Sequence, residues 1–317
     1  MKIVVLDGYT LNPGDLSWQP LEQMGSVSYY DRTDPAEVQL RSQDAAIILT
    51  NKTALDSALL AQLPKLKYIG VLATGTNVVD IDTARALGIV VTNVPGYGPD
   101  AVAQMVFAHI LQATQQVSRH SDAVKSGAWS ESADFCFTLS PLQSLKGKTL
   151  GLIGFGDIGK TVAQIAIAFG MQVVVNTRNA DLKLPKGCTW LEQQQLLKQA
   201  DIVSLHCPLT AETEKLINAA SLKTMKRSAM LINTARGGLI DEAALAAALD
   251  TGQLAYAGVD VLSTEPPAID NPLLKVNNIS ISPHNAWATI EARQNLLNIA
   301  VANLQSFLMG KSQNQVN

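Results

Sequence analysis

A chain of 317 residues, 47% hydrophobic and 16% charged, is long enough for more than one core, and two domains are the natural partition. Its formal net charge of -3 supplies no broad basic field, which argues against nucleic acid as a partner. The opening apolar run stops at Asp7, so it reads as a short strand and neither a signal peptide nor a membrane span; a cytoplasmic location is expected.

In chain order, short β-branched runs at residues 2–6, 46–50, 68–72 and 89–92 predict strands, each followed by turn formers. The stretch Val94-Pro95-Gly96-Tyr97-Gly98-Pro99 marks a domain boundary. A long helix is predicted from about Asp100, where Val102, Val106, Ile110 and Ala113 recur at helical spacing, with Phe107 and Leu111 widening the stripe. His109 and His120 are placed on it, in solvent or at an interface. After an irregular loop from Trp129 to Pro141, six further strands are predicted at 149–153, 172–176, 201–206, 229–233, 257–262 and 279–282, separated by helices. That alternation is the pattern of a doubly wound parallel sheet. A last amphipathic helix is expected from about Trp287 to Met309, ending at Gly310, with the polar tail 311–317 frayed. The fold expected is α/β: a dinucleotide domain at 100–284, inserted into a smaller domain made of 1–99 and 285–317.

Gly154, Gly156 and Gly159 form a GxGxxG pattern between a predicted strand and an apolar helix, with Phe155, Asp157 and Ile158 interleaved. The first glycine permits the tight turn, the second lets backbone approach a pyrophosphate, and the third lets helix pack on sheet. After the next strand comes Asn176-Thr177-Arg178-Asn179, with no acidic residue before Asp181. A carboxylate there would bind a ribose 2′-hydroxyl, whereas Thr177, Arg178 and Asn179 suit a 2′-phosphate; NADP is expected over NAD.

Three later strand ends carry polar residues: Arg236, Glu265 and His284. Reduction of a 2-oxo acid needs a cation for the carboxylate and carbonyl, which suits Arg236, and an acid, which suits His284 with Glu265 favouring its protonated form. Cys136, Cys188 and Cys207 show no CxxC spacing and the four histidines are scattered, so neither a disulfide framework nor a metal site is expected. Cys207 has no partner base, and packing is its expected role. Trp287 either walls a pocket or anchors the last helix.

Residues 73–76, the glycine loop, His206-Cys207-Pro208-Leu209-Thr210, and the blocks around Arg236, Glu265 and His284 together resemble the D-isomer-specific 2-hydroxyacid dehydrogenase family over nearly the whole chain. The resemblance implies two Rossmann-like domains, the smaller flavodoxin-like and substrate-binding, and a homodimer. It implies that Arg236 binds substrate, that His284 is the acid/base and that Glu265 pairs with it. It places Asp260 on the nicotinamide carboxamide and Cys207, Pro208 and Thr213 along the adenosine side. His206, Thr234, Ala235, Arg236, His284 and Ala286 are counted among the cofactor contacts, and Thr74, Gly75 and Thr76 would receive the substrate carboxylate. Thr177 in place of the family's usual acidic residue is one departure; Gln104, where many members have Glu, is another.

No Lys or Arg lies between Tyr68 and Ala84, which disfavours a phosphorylated substrate. Residues 6–13 and 93–98 are similar to glycerate dehydrogenases, also called hydroxypyruvate reductases, within the family. The resemblance therefore implies reduction of hydroxypyruvate or glyoxylate. Another 2-hydroxy acid, such as D-lactate, and an NAD(P)-sensing corepressor on the same fold are the open alternatives.

Overall fold

A computed structural model describes all residues, Met1–Asn317. The chain divides into two compact units, Met1–Gly98 with Trp287–Asn317, and Pro99–Ala286. No helix is long and apolar enough to cross a membrane.

The first unit is built on a five-stranded parallel sheet of order β2-β1-β3-β4-β5, formed by β1 (Lys2–Val5), β2 (Ser26–Tyr29), β3 (Ile47–Thr50), β4 (Tyr68–Val71) and β5 (Val90–Thr92). Strand residues alternate between two faces, and both faces here are buried, which is why the inner strands read as unbroken apolar runs. Ile3, Val5, Ile47 and Leu49 pack with Leu296, Leu297, Ala300 and Leu304 of the last helix, while Val4, Ile48 and Ile69 face a second cluster with Leu60 and Leu63. The last helix begins at Ile290 and not at Trp287, because Thr289 caps it by accepting the Ala292 amide. Arg293, only 6% exposed, fixes this helix through two bonds of 2.7 and 2.6 Å to the Asp15 carboxylate. Trp287 packs in the same core and meets Tyr97 edge-on, with ring centroids 6.2 Å apart.

Two expectations fail here. The edge strand β2 went unpredicted because Ser26-Val27-Ser28-Tyr29 carries little apolar material. The tail is also docked, not frayed. Val316 N donates to Val91 O, Val91 N donates to Asn317 Oδ1, and Asn93 N donates to Asn314 O, so the tail covers the outer edge of β5.

The second unit holds a seven-stranded parallel sheet of order β12-β11-β10-β9-β6-β7-β8. Its strands are β6 (Thr149–Ile153), β7 (Gln172–Asn176), β8 (Cys188–Trp190), β9 (Ile202–Leu205), β10 (Met230–Asn233), β11 (Tyr256–Val259) and β12 (Ile279–Ile281). The seventh strand is β8, an unpredicted three-residue edge paired to β7. The order reverses between β6 and β9, so the crevice where ligands bind in such sheets lies beyond their carboxyl ends. The helix Pro99–Gln115 packs against the helix Asp157–Ala168 and against β10 and β11. The expected α/β architecture, a doubly wound parallel sheet inserted into a smaller parallel-sheet unit, is the one observed.

Candidate active site

The glycine loop joins β6 to the helix Asp157–Ala168. Gly154 has φ 96°, and a Cβ there would stand 2.5 Å from the backbone of His206, so only glycine allows the β6 and β9 ends to approach. A Cβ on Gly159 would fall 2.8 Å from Gly154 O, whereas one on Gly156 would meet nothing within 4 Å. Gly156 thus faces open space at the start of a 12-residue helix with no side-chain cap, which leaves its first amides to an anion.

At the end of β7, Thr177 O accepts the Trp190 indole N–H at 3.3 Å and Asn179 Oδ1 accepts the Asp181 amide at 3.1 Å. Arg178 is exposed and forms no ion pair. Beyond β9, His206 bonds Ser204 Oγ at 2.9 Å, and desolvation pushes its imidazole down to about 4, leaving it neutral. Burial raises the Cys207 thiol, the opposite of what a nucleophile needs. The Thr213 hydroxyl is engaged in its own turn: it donates to Pro208 O at 2.7 Å and accepts the Thr210 amide at 2.7 Å.

Beyond β10, Thr234 is 8% exposed and its hydroxyl has no protein partner. Together with the open glycine cradle, that orphaned buried hydroxyl fits a bound dinucleotide. Arg236 is exposed, with Nη1 donating to Ala235 O at 2.7 Å, and its own carbonyl accepts from Asn233 Nδ2 at 2.9 Å. Gly237 next to it has no room for a Cβ, which would stand 1.9 Å from the Leu262 carbonyl carbon. This contact seats the Arg236 loop on the loop that carries Glu265.

Glu265 is held at both oxygens. Oε1 accepts the Leu262 amide at 3.0 Å and Oε2 meets His284 Nδ1 at 2.6 Å. About a third of each side chain remains accessible, 34% for Glu265 and 30% for His284, so the pair lies at a surface that substrate can reach. His284 adopts φ 52°, rare for a residue with a β-carbon. Its amide donates to Asp260 O at 2.8 Å. The Asp260 carboxylate, 2% exposed, accepts Ser282 Oγ at 2.5 Å and the amides of Asn285 and Ala286 at 3.0 Å each. Three of its roughly four acceptor positions are taken by protein, leaving one for a carboxamide. The same bonds tie Asn285 and Ala286 to the second unit, so the chain divides after Ala286 and not after His284.

In the first unit, Thr74 Oγ1 donates to Val94 O at 2.9 Å and Asn93 Nδ2 donates to Thr74 O at 2.7 Å, fixing the loop that contains Gly75 and Thr76. The expectation that His109 faces solvent or an interface is overturned: it is 5% exposed and bonded to Ser280 and Ser282. Helical spacing already placed it on the apolar stripe, so the signal was present. His120 lies on a separate helix, Val117–Lys125, with Nδ1 bonded to Gln116 O.

A glycine cradle and an acid–imidazole pair, both beyond the carboxyl ends of one parallel sheet, fit a nicotinamide-dependent oxidoreductase. Residues 107–286 match the family model for the NAD binding domain of D-isomer specific 2-hydroxyacid dehydrogenases. The chain is 45% identical to a hydroxypyruvate reductase of Blautia hydrogenotrophica over 100% of both chains. It is 40% identical to a glycerate dehydrogenase of Methylorubrum extorquens, over 99% of this chain and 98% of that one. Among solved structures, the NADPH-dependent glyoxylate/hydroxypyruvate reductase of Sinorhizobium meliloti, in complex with NADP and malonate, is similar with a TM-score of 0.84. Identity to it is 31%, covering 99% of this chain and 96% of that one. The chain belongs to the D-isomer specific 2-hydroxyacid dehydrogenase family.

Proposed function

We propose that the chain reduces hydroxypyruvate or glyoxylate to D-glycerate or glycolate with NADPH, and that His284 is the proton donor. The observation that carries this reading is the 2.6 Å bond between His284 Nδ1 and Glu265 Oε2. A carboxylate on Nδ1–H fixes the ring's orientation and tautomer, and its other nitrogen carries the proton that the substrate oxygen takes. Arg236 holds the oxo acid and polarises its carbonyl. A bound reduced nicotinamide supplies the hydride. Gly154, Gly156 and Gly159 with the amides after them hold its pyrophosphate, Thr234 and Asp260 its nicotinamide end, and Thr177, Arg178 and Asn179 a 2′-phosphate.

The substrate class is supported by the names of the relatives and by the absence of any cation between Tyr68 and Ala84. The NADP preference is supported by the exposed, unpaired Arg178 and by a similar reductase that holds NADP. A homodimer is part of the same reading. A steady-state panel of hydroxypyruvate, glyoxylate, pyruvate and phosphohydroxypyruvate, each with NADPH and NADH, tests the assignment. The highest kcat/KM is expected for one of the first two acids with NADPH. Faster turnover of pyruvate or the phosphorylated acid rejects the substrate, and a clear NADH preference rejects the cofactor.

A further inference from the structure

The helix Pro99–Gln115 lies against β11 so closely that a Cβ on Gly258 would stand 2.6 Å from His109 Cβ. His109 Nδ1 meets Ser280 Oγ at 2.6 Å, and Nε2 meets Ser282 Oγ at 3.1 Å. A serine hydroxyl has one proton, and Ser282 donates it to Asp260 Oδ1 at 2.5 Å, so towards His109 it only accepts. Nε2 must then carry the ring proton, and Nδ1 accepts from Ser280. Ser280, His109, Ser282 and Asp260 therefore form a hydrogen-bond chain of one direction that ends on a carboxylate. Desolvation lowers the His109 pKa, in keeping with the neutral ring this direction requires.

The carboxylate at the end of the chain braces the turn that carries His284. Asp260 accepts the amides of Asn285 and Ala286 through its side chain and that of His284 through its carbonyl. The left-handed conformation of His284 is unfavourable for a residue with a β-carbon, and it persists because such bonds over-determine it.

We propose that His109 is a positioning residue for the reduction: its Nε2–H tautomer orients the Ser282 hydroxyl onto Asp260, and the anchored carboxylate holds the turn that aims His284 at Glu265 and the substrate. The inference rests on the reading of His284 as the acid. His109 itself touches neither substrate nor cofactor and acts only through the turn.

His109→Phe fills the space without either hydrogen bond, and His109→Gln restores a donor where Nε2 stood. For each variant, kcat, KM for hydroxypyruvate, NADPH binding and the solvent deuterium isotope effect on kcat are measured. His109→Phe should lower kcat roughly 10- to 100-fold, the scale of an ångström's misplacement, and raise the isotope effect, with KM and NADPH binding little changed. His109→Gln should recover most of the rate. In a His284→Ala background, His109→Phe should add no further loss, because both act through one group. If His109→Phe does not fold, Ser282→Ala breaks the same chain and should show the same pattern. A collapse in His284→Ala beside wild-type kcat in His109→Phe overturns this inference alone. So does an added loss in the double variant, or a joint fall in kcat and NADPH binding that Gln does not rescue. Near-normal kcat in His284→Ala overturns the acid assignment, and the inference falls with it.

Discussion

Arg178, in the loop that follows β7, is exposed and has no acidic neighbour in an ion pair. A charge-assisted bond from it to a 2′-phosphate is worth about 1.5–3 kcal/mol, so Arg178→Gln should raise KM for NADPH roughly tenfold or more and leave KM for NADH unchanged. An equal change with both cofactors would show that Arg178 does not read the 2′ position. Single residues were unevenly legible in the sequence. Arg236, Glu265 and His284 stood out because each is polar at the end of an apolar strand. His109 did not, although Val102, Val106, Ile110 and Ala113 mark the face it shares. A polar residue on an apolar stripe is weighted towards solvent unless its partners are known, and Ser280 and Ser282 lie 171 and 173 residues away in sequence. Thr213 matched a family block, but only coordinates show its hydroxyl bound within its own turn.

Among the elements, those with a strong periodic pattern were found and the weakly apolar ones were not. β9 and β10 are buried at every position and are mostly apolar, broken only by Ser204 and Asn233, whereas β2 and β8 sit at sheet edges with few apolar residues. The tail read as frayed on composition alone. Asn314 and Asn317 instead pair with the backbone along β5, through a carbonyl and through side-chain amides that substitute for backbone groups. One element remains conspicuously uncovered. The helix Val117–Lys125 and the segment after it expose Val117 (71%), Trp129 (52%) and Phe135 (90%). The homodimer proposed above would cover these side chains. Sedimentation should give twice the 33.8 kDa of one chain, and Trp129→Ala with Phe135→Asp should halve it. A wild-type species at 33.8 kDa would remove the dimer from the account.

For the whole molecule, class was legible because several independent blocks fall in the same order as in the family, and because the βα alternation fixes a parallel sheet. The chain leaves its first unit after Gly98 and re-enters it at Trp287, so an insertion was visible from two helices flanking one set of strands. The central claim is that this architecture delivers a proton from His284 as hydride arrives. Its most direct test is the rate of NADPH oxidation by hydroxypyruvate in the wild-type protein and in His284→Ala. The account predicts rapid wild-type oxidation with D-glycerate as product. It also predicts a kcat lowered roughly 100-fold or more in the variant, with NADPH binding intact. No wild-type oxidation, or a variant with near-normal kcat, would contradict it.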